Sequence, residues 1–253
     1  MDDVSGNIRA LNAEIESCTK CRLWLTRHNP LCGEGNLEAR LLLVAQAPGV
    51  KEDLEGRMFI GPSGMVLDEL LEQAGVGRGE IYMTNLVKCM LPKYRRPRED
   101  EIAACSVHLE EEIELVRPAT LVPLGFFATR YILDTRGIPK PQSKAEFPEV
   151  FGKLFLAGEK RIYPLPHPAA LLYDKSRRVD METRYRKLGV LARECKWFPL
   201  CPLKRNHERG LVSGEWIEYY CKGDWESCVR YEMEERGEPH SDYMLPDGSI
   251  QRI

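Results

Sequence analysis

Leu41-Leu42-Leu43-Val44-Ala45 runs without a break into Gln46-Ala47-Pro48-Gly49, and this stretch decides the fold. Five consecutive apolar residues make a strand buried on both faces, the pattern of a parallel sheet covered by helices on either side. Pro48 and Gly49 end the strand abruptly. The loop they form leaves a strand at its C-terminal end, where open α/β sheets bind their ligands.

The same alternation continues outward from that strand. Residues 65–74 form an amphipathic pattern closed by Gly75, and residues 81–86 a second strand. A long Glu-rich helix follows over 99–116, stopped ahead of Pro118. Residues 120–125 read as a third apolar strand and 126–133 as a helix. After a polar loop over 137–149, residues 151–166 suggest a strand pair leading to His167-Pro168. Helical patterns cover 8–25 and 181–192. Strands alternating with helices predict a three-layer α/β/α domain with a central, mainly parallel sheet over residues 1–194. From residue 195 apolar strands stop, and Trp, Tyr, Cys and charge take over. Residues 195–253 therefore read as a small Cys-rich appendage.

Hydrophobic residues make up 43% of the 253, enough for a sizeable core, and the formal net charge is −3. With that balance, a nucleic-acid partner would have to meet positive charge gathered on one face. No apolar run is long enough to span a membrane. The start, Met1-Asp2-Asp3, lacks the basic-then-apolar order of a secretory signal, which points to the cytoplasm. In a reducing compartment, nine cysteines serve more often as metal ligands, catalytic groups or buried thiols than as disulfides. Nothing in the sequence sets the oligomeric state; a monomer is the simplest expectation.

Cys18 and Cys21 form a C-x2-C pair, with Cys89 and Cys105 further along. Four thiolates from separated segments suit tetrahedral zinc or a cubic iron–sulfur cluster, and spacing does not separate the two. The bland alternative makes Cys89 and Cys105 ordinary buried thiols. A second set, Cys195, Cys201, Cys221 and Cys228, fits no standard zinc-finger spacing. It is either another cluster or zinc site, stapling a segment with little aliphatic core, or a group of buried thiols.

Gln46-Ala47-Pro48-Gly49 with Glu52-Asp53, then Gly56-Arg57-Met58-Phe59-Ile60-Gly61 and Ser63-Gly64, resembles the first motif region of the family 4, iron–sulfur, uracil-DNA glycosylases. Tyr82-Met83-Thr84-Asn85-Leu86-Val87-Lys88-Cys89 is similar to their second strand and a cluster ligand. Arg96-Pro97, Glu101 and Cys105 resemble the segment bringing the fourth ligand, and His167-Pro168 with Leu171-Leu172 their last motif. Order and spacing agree over about residues 15–190. The resemblance implies a DNA glycosylase hydrolysing the N-glycosidic bond of uracil, the first step of base excision repair. It also implies a [4Fe-4S] cluster on Cys18, Cys21, Cys89 and Cys105, and uracil-containing DNA, single- or double-stranded, as partner.

Residue by residue, the resemblance makes Phe59 the aromatic that stacks on a flipped base and Asn85 the reader of its edge, an amide offering both donor and acceptor. His167 is placed beside uracil O2, where a donor stabilises the charge of the leaving base. Ala47, Gly49 and Ser63 are expected to line the substrate site, Ser63 with a helix N-terminus that suits phosphate. The family pattern Gly-Glu-Ala-Pro-Gly reads Ala45-Gln46-Ala47-Pro48-Gly49 here. Neither Gln46 nor Ala47, which stands where another branch carries a water-activating Asp, supplies a carboxylate. Gln46 can hold water or sugar but is no general base; Glu52 or Asp53 would have to substitute, unless they are solvated loop charges. Lys93, Arg95 and Arg96, in a basic loop around Tyr94, suit backbone phosphates. Two other readings remain: action on RNA or another modified base, and an iron–sulfur nucleic-acid-binding module with impaired catalysis.

Overall fold

The computed structural model describes residues 3–251 except 140, 142 and 144. Met1 and Asp2, on which the reading of the N-terminus leans, and parts of the 137–149 loop lie outside the described residues.

Six strands form one sheet: β1 (Glu34–Gly35), β2 (Leu41–Ala45), β3 (Ile81–Asn85), β4 (Thr120–Pro123), β5 (Phe155–Ala157) and β6 (Lys160–Ile162), in the order β1-β3-β2-β4-β6-β5. The inner pairs β3–β2, β2–β4 and β4–β6 are parallel, while the edge pairs β1–β3 and β5–β6 are antiparallel. The expected mainly parallel sheet is thus present, with a two-residue edge strand, β1, at one side.

Every residue of β2 is buried. Its alternation divides the core. Leu41 and Leu43 pack with α3 (Pro62–Ala74) and α7 (Arg178–Leu191) on one face. Leu42 and Val44 pack with α1 (Val4–Ser17), α4 (Glu99–Val116) and α5 (Gly125–Thr135) on the other. Period-two side-chain direction makes one short strand serve both layers, and truncating Leu43 to alanine would cost about 2–5 kcal/mol.

Two short helices were not foreseen beside this core: α2 (Val50–Glu55), directly after Gly49, and α6 (Ala170–Tyr173), directly after His167-Pro168. The helix expected over 8–25 stops at Ser17. Cys18 adopts an extended backbone, and only a 3-10 turn, Arg22–Leu25, follows Cys21. The C-x2-C pair is therefore presented from a loop. Helix α4 matches its expected bounds. It is capped where the Arg98 N–H donates to Glu101 Oε2 at 2.9 Å, and it ends at Arg117, which is left-handed ahead of Pro118.

The C-terminal segment holds α8 (Pro202–Glu208), α9 (Gly214–Trp216) running into a π-helical turn (Ile217–Cys221), and α10 (Val229–Arg236). Its own core is small: Leu203, Val212, Ile217 and Cys221 are buried together. Polar contacts join it to the sheet and its helices. Arg161 on β6 pairs with Glu218 at 2.7 Å, Arg40 donates to the Lys222 carbonyl, and Trp225 Nε1 donates to the Val190 carbonyl at 3.0 Å. Among the described residues no helix is long and apolar enough to cross a membrane.

Candidate functional site

Three strand ends converge on one edge of the sheet. Ala45, last in β2, sits in register with Asn85, last in β3. The loop after β2 is stitched to the segment after β3, because Leu86 N–H donates to the Ala45 carbonyl at 2.8 Å and Val87 N–H to the Gln46 carbonyl at 3.0 Å. Beyond β4, Leu124 bridges Leu165 in parallel, and two residues later the chain reaches His167. The structure therefore brings Gln46, Asn85 and His167 to the C-terminal edge, where the strand–loop reading placed the site. Phe59 arrives from the connection between α2 and α3, and its ring faces that of His167 with centroids 6.2 Å apart and planes 29° apart.

Phe59 is held under backbone strain. Its φ of +52° lies in the left-handed region, uncommon for a bulky residue and concentrated at functional sites. Its carbonyl oxygen accepts from Arg78 Nη2 at 2.6 Å, and Asp68 fixes that guanidinium through Nε at 2.5 Å. Gly64 lies flat against the same peptide; a β-carbon on Gly64 would overlap the Phe59 carbonyl. The Gly64 N–H is spent on the Gly61 carbonyl, and Pro62 has none, so of the first helical amides of α3 only that of the half-buried Ser63 is left for a phosphate.

Asn85 is buried, and its amide nitrogen donates to the Met58 thioether at 3.0 Å. A thioether is a weak acceptor, so the amide is oriented yet easily recruited by a better partner.

His167 has a defined tautomer. Its Nδ1 accepts from the Ala169 N–H at 3.2 Å, which leaves the proton on Nε2. Burial holds the imidazole pKa down at about 4, so the ring is neutral near pH 7 although part of its surface stays accessible. Tyr185 on α7 donates to the Pro166 carbonyl at 2.7 Å and anchors the segment that carries the ring.

The acidic candidates are committed elsewhere. Glu52 is buried and accepts the Gly61 N–H at 2.8 Å, with its carboxylate packed between Gly49 and Gly61. Asp53 is buried and takes both the backbone N–H and Nδ1 of His28. Neither is a solvated loop charge, and neither is placed as a base: Glu52 braces the loop that carries Phe59, and Asp53 ties α2 to the segment at His28. Gln46 is half-buried and, among the described residues, nothing bonds its side-chain amide. Ala47 is half-buried beside it, and Gly49 caps α2.

Cys18, Cys21, Cys89 and Cys105 line one cavity, together with Lys20, Arg27 and His108. Arg27 Nη1 donates to the Cys89 sulfur at 3.2 Å, and the Lys88 N–H to the Cys105 sulfur at 3.2 Å. Burial raises the thiol pKa of both, that of Cys105 to about 11. Beneath the cavity Lys88 and Glu112 form a buried ion pair at 2.6 Å, shared with Thr84. Among the described residues no three His, Cys, Asp or Glu side chains are gathered to hold a single metal ion.

In the basic loop, Lys93 and Tyr94 both have positive φ, which thrusts the Tyr94 ring outward to 81% exposure. Lys93 and Arg96 are exposed. Arg95 instead clamps Glu101 through two bonds of 2.8 and 2.5 Å, an orientation that holds the helix start.

Sequence reasoning missed Arg78, Gly125 and Tyr185. Gly125, with φ +79°, lies behind the His167 ring. Of the three only Gly125 carried a signal, since a Gly opening a helix implies a close approach.

A profile described as Uracil DNA glycosylase superfamily matches residues 32–189. The chain is 36% identical over 191 residues to the Type-4 uracil-DNA glycosylase of Sulfurisphaera tokodaii, covering 74% of this chain and 85% of that protein. It is 37% identical over 188 residues to the Type-4 uracil-DNA glycosylase of Saccharolobus solfataricus, covering 72% and 85%. A Type-5 uracil-DNA glycosylase of Pyrobaculum aerophilum is 33% identical over 163 residues, covering 58% and 69%. These matches and the strand-edge site with which they coincide show that the chain belongs to the uracil DNA glycosylase superfamily.

Proposed function

We propose that this protein hydrolyses the N-glycosidic bond of uracil in DNA. The observation that carries the reading is His167: a neutral imidazole with its Nε2–H available, facing Phe59 at the edge where Asn85 ends its strand.

A base flipped out of the helix stacks on Phe59, and the Asn85 amide exchanges Met58 for the base edge. The C1′–N1 bond then breaks with its electron pair leaving on the base. Negative charge spreads to O2, and Nε2–H of His167 stabilises it there. Such a fixed donor contributes about 10²–10³-fold in rate. A neutral ring suits this task, because it donates a hydrogen bond without having to be charged beforehand. Water adds to C1′ and releases its proton to solvent. Gln46 orients that water; no carboxylate is required once the leaving base is stabilised.

Cys18, Cys21, Cys89 and Cys105 are proposed to hold a [4Fe-4S] cluster. Four thiols on one cavity, with a guanidinium and a backbone N–H on two of the sulfurs, fit a negatively charged cysteine-ligated centre. When bound, the cluster supplies a cross-link between the end of α1, the segment after β3 and α4. Lys93, Arg96 and Ser63 are proposed to contact DNA phosphates, with residues 1–194 as the catalytic domain.

The test is excision from a labelled uracil-containing oligonucleotide by anaerobically purified protein, with His167→Ala as control. Loss of excision in the control supports the reading. No excision by a folded wild type, with turnover of uracil in RNA or of another base, would replace it.

A further inference from the structure

The second cysteine set shares one place. Cys195, Cys201, Cys221 and Cys228 come from four separate turns of the C-terminal segment, and all line a single cavity of about 70 Å³. None is in a disulfide. The backbone brings them together: the Cys195 N–H donates to the Cys221 carbonyl at 2.8 Å. Backbone N–H groups of Trp197 and Phe198 point at the Cys195 sulfur, and those of Arg230 and Tyr231 at that of Cys228.

Arg230 gives an independent indication. It is 2% exposed and lines the same cavity. Its Nη1 donates to the Ser241 and Met244 carbonyls at 2.9 and 2.8 Å, while its buried Nε and Nη2 have no partner. No carboxylate forms an ion pair with it among the described residues. A buried guanidinium with unsatisfied donors is costly unless negative charge stands beside it. Among the described residues lining the cavity, the Glu234 carboxylate is bonded to His240 at 2.9 Å, and the four thiols are the other groups able to carry that charge.

We propose that Cys195, Cys201, Cys221 and Cys228 ligate a second iron–sulfur cluster of the [4Fe-4S] class, with Arg230 as its buried counter-charge. A single zinc ion would draw four sulfurs to about 2.3 Å from one point and close the space between them. A cube spreads its ligands over four iron corners and fills such a space. The aromatic rings of Trp197, Tyr220 and Trp225 line the same cavity. The need is structural: four buried residues make a meagre core for this segment, and a metal centre supplies the missing folding energy. The composition repeats that of the Cys18 site, where Arg27 meets Cys89, but the assignment stands without it.

Iron, acid-labile sulfide and zinc per chain, measured on anaerobically reconstituted full-length protein, decide the matter. About eight iron and about eight sulfide are expected, as two such clusters require. About four of each, with or without one zinc, overturns the proposal. Cys221→Ser locates the second centre: it should halve the iron while the Cys18 site keeps its own, and retention of all the iron overturns the assignment. Arg230→Gln keeps every ligand. It should retain the iron but shift the reduction midpoint of one of two resolved electron paramagnetic resonance signals, and an unmoved midpoint removes Arg230 from the proposal. Uracil excision is followed in parallel, so that failure of the glycosylase reading shows separately from failure of this one.

Discussion

Gly125 stands directly behind His167: a β-carbon built on it would lie 3.1 Å from the His167 Cβ. Its φ of +79° also excludes an unstrained side chain. Gly125→Ala is therefore expected to move the imidazole. A displacement of about 1 Å costs about 10²-fold in rate. Single-turnover excision measures it, with substrate affinity expected to change little; an unchanged rate would show that the ring position is set elsewhere.

The acid limb of the pH–rate profile should fall near 4. The folded-state pKa of His167 lies below that of a free imidazole, so the neutral donor persists as pH drops through 6.5 and is lost only through about 4. The stability consequence has the same sign. Between those values the unfolded chain takes up a proton that the folded chain refuses, so stability declines as pH falls. An activity limb centred near 6.5 would assign the dependence to another group.

Gln46→Ala should cost about tenfold, far less than His167→Ala, because an amide orients water but takes no proton from it. Parallel kcat measurements test the ranking. Equal losses would mean that Gln46 carries more than orientation.

Leu172 and Tyr173 follow His167 closely and are 45% and 90% exposed. Apolar side chains beside a base-flipping site act as wedges between base steps. Tyr173→Ala with Leu172→Ala is expected to slow excision from duplex DNA about tenfold or more while sparing single strands, where no stack must be opened. Equal slowing on both substrates would point to a packing role.

Glu218→Gln leaves Arg161 buried without its counter-charge. A loss of about 2–4 kcal/mol is expected, somewhat under the value for a fully buried pair because Glu218 keeps some exposure. Urea denaturation measures it.

The core of this fold was readable because β2 is a short uninterrupted apolar run and β3 and β4 are short and mostly apolar, and a parallel sheet leaves that mark in sequence. Asn85, Phe59 and His167 were readable only in combination, since each alone resembles a turn Asn, a core Phe or a loop His. Arg78, Tyr185 and the true employment of Glu52 and Asp53 were not readable. They act on backbone atoms of residues distant in sequence or folded back on themselves, and no periodicity records which carbonyl or N–H a side chain will find. The break in the first helix escaped for a similar reason: its apolar spacing continues through Cys18, but the backbone there turns outward.

Charges and peptide groups cross the seam between the sheet and residues 195–253: Arg161 with Glu218, Lys187 with Asp224, Trp225 with the Val190 carbonyl. A surface that greets a neighbour with a guanidinium and an ammonium is at ease in water when the neighbour is absent. Each of these contacts leaves behind, on the sheet side, a group that water solvates readily.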